Sequence, residues 1–207
     1  EKLNERYPGS EEIAVRLANS LFNLAVEQES EEIEKTVARI EKLNERYPGS
    51  EEIAESLANS LFNLAVEQES DEIEKTVTRI EKLNERYPES EEIAESLAKS
   101  LFNLAVEQKS DEIEKTVTRI EKLNERYPES EEIAESLAKS LFNLAVEQKS
   151  DEIEKTVTRI EKLNERYPGS EEIAVRLARS LVNLTAEQGS DEIEKTVTRI
   201  EKLNERY

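Results

Sequence analysis

Apolar residues recur along the chain at intervals of three, four and one, which is the spacing of one face of an α-helix. Between Glu11 and Gln28 the apolar positions are Ile13, Ala14, Leu17, Ala18, Leu21, Leu24 and Ala25. A second stripe follows between Glu31 and Tyr47, at Ile33, Val37, Ile40, Leu43 and Tyr47. The pattern predicts one helix over each segment, with only two or three residues between them.

Polar residues mark the predicted ends of these helices. Ser10 and Ser30 stand before the two segments as N-caps, and acidic residues follow each of them in the first turn. Pro8 stops the preceding helix, because proline lacks the amide hydrogen that a helix interior needs. Short connections force successive helices to be antiparallel neighbours, so each pair is predicted to form a hairpin.

The hairpin is repeated along the chain. The heptapeptide EKLNERY begins at Glu1, Glu41, Glu81, Glu121, Glu161 and Glu201, so the 207 residues form five 40-residue units and a seven-residue remainder. We predict a single repeat domain over 1–207, with a helical stub at 1–7 and hairpins at 8–47, 48–87, 88–127, 128–167 and 168–207. One hairpin cannot bury both of its flanks, so stability must come from stacking hairpin on hairpin.

The spacing within each unit can be compared with that of known repeats. Four residues of the first helix (Ala14, Leu17, Ala18, Leu21) and four that follow (Thr36, Ile40, Leu43, Pro48) carry the comparison. This arrangement resembles the tetratricopeptide (TPR) pattern in all five units, although Ala14 stands where Trp is usual and the repeat exceeds the family's about 34 residues. The resemblance implies an all-α, right-handed α-solenoid (superhelix) of stacked antiparallel helical hairpins. The HEAT-type helical pair is the alternative description.

Composition narrows the function. The chain has no Cys, His, Met or Trp, which excludes disulfides, thiol or imidazole catalysis and the usual His and Cys metal sites. Its net charge of -20 repels nucleic acid and anionic lipid, and no apolar run is long enough to span a membrane. We expect a protein that is not an enzyme, holds no cofactor and requires no partner. We expect it to be soluble, and cytoplasmic in its expression host if it is designed.

The units are more alike than duplicated genes usually remain. Residues 81–120 and 121–160 are identical, and 41–80 differs from 81–120 only at Gly49/Glu89, Asn59/Lys99 and Glu69/Lys109. Serine before each helix and acid in each first turn match design practice. We interpret the chain as a designed or idealised scaffold with no natural biochemical activity. The alternative is a natural TPR-like module that binds a peptide or protein.

The resemblance also implies where a ligand would lie, since TPR proteins hold extended peptides against the concave face of each first helix. Two columns occupy this face here: Asn23, Asn63, Asn103, Asn143 and Asn183, and Asn19, Asn59, Lys99, Lys139 and Arg179. Side-chain amides can clamp a peptide backbone, and the cations favour an acidic peptide. The plainer interpretation is that the amides bond to one another or to water, and that Lys139 pairs with Glu135 four residues earlier.

Three further expectations concern packing. Asn44 lies inside the apolar stripe of the second helix, so we expect it to be buried and to bond backbone groups of a nearby turn. Phe22 and its copies are expected to complete the core between repeats. The stub at 1–7 has the sequence of 201–207, and we expect it to cover the first edge and keep the chain monomeric, with end-to-end association as the alternative.

Overall fold

The structure, a computed structural model, describes residues 4, 6, 7 and 9–206 of the chain. The helices that follow residue 10 are α1 (Glu11–Val26), α2 (Ser30–Arg46), α3 (Glu51–Val66), α4 (Ser70–Arg86), α5 (Glu91–Glu107), α6 (Ser110–Arg126), α7 (Glu131–Glu147), α8 (Ser150–Arg166), α9 (Glu171–Ala186) and α10 (Ser190–Asn204). We call the odd-numbered helices A helices and the even-numbered ones B helices. The described residues include no strand, so the predicted all-α class is confirmed.

Several A helices begin with the predicted serine caps, whereas α2, a B helix, begins with a different residue from the one predicted. The backbone amides of Ile13, Ile133 and Ile173 donate to the hydroxyls of the serines three residues earlier, at 3.4 to 3.5 Å. The prediction that Ser30 caps α2 is wrong, because Ser30 is the first residue of that helix. Glu29 is the extended residue before it, and the Glu29 carbonyl accepts from the amides of Glu32 and Ile33. The first A helix also ends at Val26, two residues before the predicted end at Gln28.

The chain divides into two compact units, Glu1–Asn103 and Leu104–Tyr207, and the division lies inside α5. In the first unit α3 packs against α1, α2 and α4. In the second unit α9 packs against α7, α8 and α10, which is the same arrangement three hairpins later. Each of these A helices therefore contacts both helices of the preceding hairpin as well as its own B helix. This packing is consistent with an α-solenoid, and the right-handed sense stays a prediction.

Small residues let neighbouring A helices approach closely. In α3 the side chains of Ala54, Ala58 and Ser60 are fully buried, and Leu57 and Leu61 lie buried among them. The equivalent serine of α7, Ser140, is fully buried as well and donates to the carbonyl of Ser136 one turn earlier. A buried hydroxyl can face an adjoining helix only when such a partner satisfies it.

None of the described helices is long and apolar enough to cross a membrane.

Asn44 is buried, as expected, but it has a different partner from the one expected. Its Oδ1 lies 3.3 Å from the hydroxyl of Tyr87 in the next hairpin, which donates to it. The same hydroxyl lies 2.9 Å from the carbonyl oxygen of Pro48. In the second unit Tyr167 makes the same pair of contacts with Asn124 and Pro128, at 3.0 and 2.8 Å. The tyrosine hydroxyl thus bonds both the backbone of the turn and the buried amide.

Most of the predicted stub lies outside the described residues, namely 1–3 and 5, and so does Pro8. Asn4 and Arg6 are helical, and Asn4 is buried while Tyr7 is 49% exposed. The burial of Asn4 matches that of its copies Asn44 and Asn84. Whether the stub keeps the chain monomeric stays a prediction.

Candidate functional site

The two predicted ligand columns lie on the A helices, one turn apart. In the first unit they comprise Asn19, Asn23, Asn59, Asn63, Lys99 and Asn103. In the second unit they comprise Lys139, Asn143, Arg179 and Asn183. The structure thus places every predicted site residue on a helix, at the expected spacing.

The column that begins with Asn19 joins neighbouring hairpins. The Oδ1 of Asn19 accepts from the hydroxyl of Ser56 at 2.6 Å, and the Oδ1 of Asn59 accepts from Ser96 at the same distance. The Nδ2 of Asn59 also donates to Glu92 at 2.7 Å. These amides therefore already have partners in the next A helix, and a ligand would have to replace those hydrogen bonds.

One cation of this column, Lys139, is also paired with carboxylates. Lys139 lies 3.8 Å from Glu135, as the spacing predicts, and 3.7 Å from Glu172 of the next hairpin. Arg176 binds the same Glu172 at 2.7 Å and lies over the ring of Phe142, with its guanidinium carbon 5.6 Å from the ring centroid. An acidic ligand would compete here with carboxylates that the chain itself supplies.

The ionisation of Glu172 reflects this arrangement. Partial burial acts to raise its pKa, but the hydrogen bond from Arg176 opposes that effect. The positive charges of Arg176, Lys139 and Arg179 act in the same direction as the hydrogen bond, and on balance the pKa of Glu172 is lowered. Glu172 is therefore the centre of a small charge cluster at the joint between two hairpins.

A second carboxylate between hairpins behaves in the opposite way. Burial raises the pKa of Glu55, and the negative charges of Glu92, Glu51 and Glu52 add to this. The hydroxyl of Ser90 donates to Glu55 at 2.9 Å and lowers the pKa only in part. In the second unit Ser170 donates to Glu135 at 3.0 Å in the same way. These cap serines thus link successive A helices in addition to starting one of them.

The column that begins with Asn23 differs from the column that begins with Asn19 in its hydrogen bonds. The Nδ2 atoms of Asn63 and Asn103 are buried and have no hydrogen-bond partner within the structure. Buried amide donors usually have a partner, so these two, like the buried hydroxyl of Ser180 in α9, are polar groups of the A helices with unused capacity. The two asparagines follow Phe62 and Phe102 in the sequence, whose side chains are half-buried, and the role of these rings in the core between repeats stays a prediction.

The B helices carry an ion-pair ladder that the sequence analysis missed. Arg79 binds Glu41 at 2.9 Å and Glu34 at 3.0 Å, both in the preceding B helix. Arg159 binds Glu121 and Glu114 in the same way in the second unit, and Arg199 binds Glu161 and Glu154. The signal was present as an arginine 38 residues after one glutamate and 45 after another. It is visible only when the repeats are written one below the other.

A polar hollow of about 310 Å³ lies beside α8, with walls formed by Glu114, Gln148, Thr156 and Arg159 among others. Its polar groups bond to each other, since Thr156 donates to Gln148 at 2.6 Å and Arg159 donates to Glu114 at 3.0 Å. In the described part of the chain, no group of three or more acidic side chains is arranged to hold a metal ion. The hollow therefore offers a ligand few unpaired groups.

Comparison of the chain with protein-family models, with curated proteins and with solved structures gives no match. The structure is that of a helical-repeat protein, with hairpins that follow one another at a regular interval.

Proposed function

We propose that this chain is a non-catalytic helical-repeat scaffold of designed or idealised sequence, with no natural biochemical activity and no partner that it requires. The observation that carries the proposal is the use of the polar A-helix face. Successive hairpins repeat one hydrogen bond at one distance, from Ser56 to Asn19 and from Ser96 to Asn59. The amides of Asn19 and Asn59, which would face a ligand in a TPR-like groove, are thus engaged with the next repeat.

The identity of the interior units supports the same proposal. Residues 81–120 and 121–160 do not differ at all, so each interior hairpin presents its neighbours with the same surface. A natural groove that recognises an extended ligand needs different side chains along its length to fix the ligand's register. In a designed scaffold expressed in a host cell, the chain would be found in the soluble cytoplasmic fraction.

A TPR-like peptide-binding module is the second candidate, and one observation favours it. The Nδ2 atoms of Asn63 and Asn103 are unpaired and buried, so they could donate to carbonyl groups of an extended peptide once their side chains rotate toward the surface. The half-buried ring of Phe62 and the exposed Val66 would supply apolar contact beside them.

The test is size-exclusion chromatography with light scattering, run with and without a pool of random acidic and neutral peptides. Mass spectrometry then identifies any peptide that co-elutes with the protein. The scaffold proposal predicts a protein peak without retained peptide at low and at moderate salt. The wild-type chain is compared with the double variant Asn63→Ala/Asn103→Ala and with Asn204→Ala, an exposed asparagine on a B helix.

Selective retention of peptides by the wild-type chain and by Asn204→Ala, lost in the double variant, would overturn the scaffold proposal. That result would establish the A-helix face as a recognition surface. Retention that is unchanged in the double variant would contradict the assignment of that surface to Asn63 and Asn103.

A further inference from the structure

The last hairpin exposes apolar side chains that the hairpin before it buries. Val157 of α8 is 0% exposed, whereas its copy Val197 of α10 is 41% exposed. Ile160 is likewise fully buried, and its copy Ile200 is half-buried. In the second unit α9 packs against α7 and α8, so the cover on that face of α8 is the next A helix. No described helix packs on the corresponding face of α9 and α10, which we call the C-face.

The C-face also contains an open apolar hollow of about 250 Å³. Its lining includes Ala174, Val175, Ala178, Ile200 and Leu203. The same positions one hairpin earlier include the fully buried Ala134 and Ala138. At one of these positions the chain becomes more apolar, because Val175 stands where the interior units have glutamate.

The first A helix likewise exposes side chains whose copies in the next A helix are buried. Leu24 of α1 is 42% exposed, whereas its copy Leu64 of α3 is 1% exposed. Ser20 is exposed and Ile13 is half-buried, whereas their copies Ser60 and Ile53 are fully buried. In the first unit the preceding hairpin, α1 with α2, supplies the cover for α3. We call this uncovered side of α1 the N-face.

Interfaces inside the chain show what fits each face. Within the chain, the surface of α7 and α8 that corresponds to the C-face is covered by the surface of α9 that corresponds to the N-face. Both of these interior surfaces have nearly the same sequence as the two uncovered faces. We propose that the N-face of one copy of this chain binds the C-face of a second copy, and so reproduces between molecules the contact that α9 makes with α7 and α8 within one molecule.

Charged residues at the two faces support this choice of partner. The interior joint holds Glu172 between Lys139, at 3.7 Å, and Arg176, at 2.7 Å. The corresponding residues of the intermolecular joint are Glu12 and Arg16 on the N-face, and Arg179 on the C-face. Arg16 already lies 3.4 Å from Glu12, which is the pairing that Arg176 makes with Glu172. The second copy therefore brings a carboxylate to Arg179 and introduces no charge that the interior joint lacks.

The duplicated heptapeptide weakens this joint. Residues 1–7 and 201–207 have the same sequence, and in a continuous stack both would occupy the place before Pro8 of the second copy. Either residues 1–7 of the second copy or residues 201–207 of the first must therefore be displaced when the C-face binds the N-face. We therefore expect weak association of the full chain and tighter association when residues 1–7 are deleted.

Three single variants test the proposal. Leu24→Arg places a charge on the N-face, and Val197→Arg places one on the C-face. Val146→Arg is the matched control, because Val146 is an exposed valine of α7 that belongs to neither face. All three replaced side chains are exposed in the single chain, so the substitutions leave its fold intact. Sedimentation equilibrium over a wide range of protein concentration gives the average mass.

The wild-type chain and Val146→Arg should rise above 23.8 kDa with concentration, and deletion of residues 1–7 should tighten the association at least tenfold. Leu24→Arg and Val197→Arg should each remain monomeric. An equimolar mixture of these two should form dimers and nothing larger, because each variant retains the face that the other lacks.

Two results would overturn the proposal. One is a monomer mass at every concentration for both proteins, 23.8 kDa for the full chain and the correspondingly smaller mass for the chain without residues 1–7. The other is association that persists in Leu24→Arg or Val197→Arg alone, since this would place the contact on another surface or between two identical faces.

Discussion

At the scale of single residues, the joint between hairpins depends on tyrosines at the ends of B helices. The hydroxyl of Tyr87 contacts Asn44 in the preceding hairpin and the carbonyl of Pro48 in the turn that follows that hairpin. Arg86 lies over the Tyr87 ring, at 5.5 Å, and also donates to the Pro48 carbonyl at 3.0 Å. One turn carbonyl and one buried amide are thereby satisfied by two consecutive residues of the next repeat.

Tyr87→Phe should lower the free energy of unfolding by about 1 to 2 kcal/mol, because it removes the hydroxyl and leaves Asn44 without that donor. Urea denaturation followed by circular dichroism measures the change. Tyr7→Phe is the control, since Tyr7 is exposed, and it should change the stability by less than about 0.5 kcal/mol. Equal losses in the two variants would contradict a role for the hydroxyl in the joint.

The same tyrosines predict a loss of stability at alkaline pH. Burial raises the pKa of Tyr87 and of Tyr167 above the value of about 10 that tyrosine has in an unfolded chain. As the pH rises from the tyrosine pKa of the unfolded chain to the higher pKa of the folded chain, the unfolded chain loses protons that the folded chain retains. The free energy of unfolding therefore falls. Their contribution is fully present below pH about 9.

Urea midpoints measured at pH about 8.5, 10.5 and 11.5 test this prediction. The decline between the first and last should be smaller in Tyr87→Phe/Tyr167→Phe than in the wild-type chain. If both proteins lose the same amount, the alkaline sensitivity arises from other groups.

At the scale of the helix, the sequence predicts the presence and order of the elements well and their first residues less well. The A helices begin where the serine cap predicts, because the cap hydroxyl bonds the amide three residues on. The B helices begin one residue earlier than predicted, with Glu29, Glu69 or Lys109 as the extended residue before them. Serine before acidic residues is typical of a cap, but here the carbonyl of the preceding residue starts the helix.

Ser130→Ala should cost about 1 kcal/mol of stability, because it removes the acceptor of the Ile133 amide at the start of α7. Ser30→Ala should change the stability by less than about 0.5 kcal/mol, since Ser30 lies within α2 and makes no cap. Thermal or urea denaturation of both variants measures the difference. A larger loss in Ser30→Ala than in Ser130→Ala would show that the serine before each B helix has a role that its position in the structure does not reveal.

At the scale of the whole molecule, hairpins of nearly identical sequence make nearly identical contacts. Because 81–120 and 121–160 are the same, deletion of residues 121–160 joins Ile120 to Glu161 without creating a new sequence at the junction. In a repeat protein, stability is the sum of contributions from repeats and from the interfaces between neighbours.

The shortened chain should fold with an unchanged helical signal per residue and a lower urea midpoint. Its m-value should fall by roughly a fifth, since m scales with the surface exposed on unfolding. An unchanged midpoint and m-value would contradict the additive behaviour, and loss of the helical signal would show that the five hairpins fold only together.

The sequence by itself determined the helices, their pairing into hairpins and the 40-residue period. These depend on the spacing of Ile53, Leu57 and Leu61 along a helix and on Pro48 in a turn, which are local properties of the chain. Only the tertiary structure decided the partners of the polar residues. Asn59 bonds Ser96 and Glu92, whereas Asn63 one turn later leaves its Nδ2 unpaired, although both are asparagines on the same face. The reason is that residues 33 to 45 positions apart meet only when the register between stacked helices is fixed.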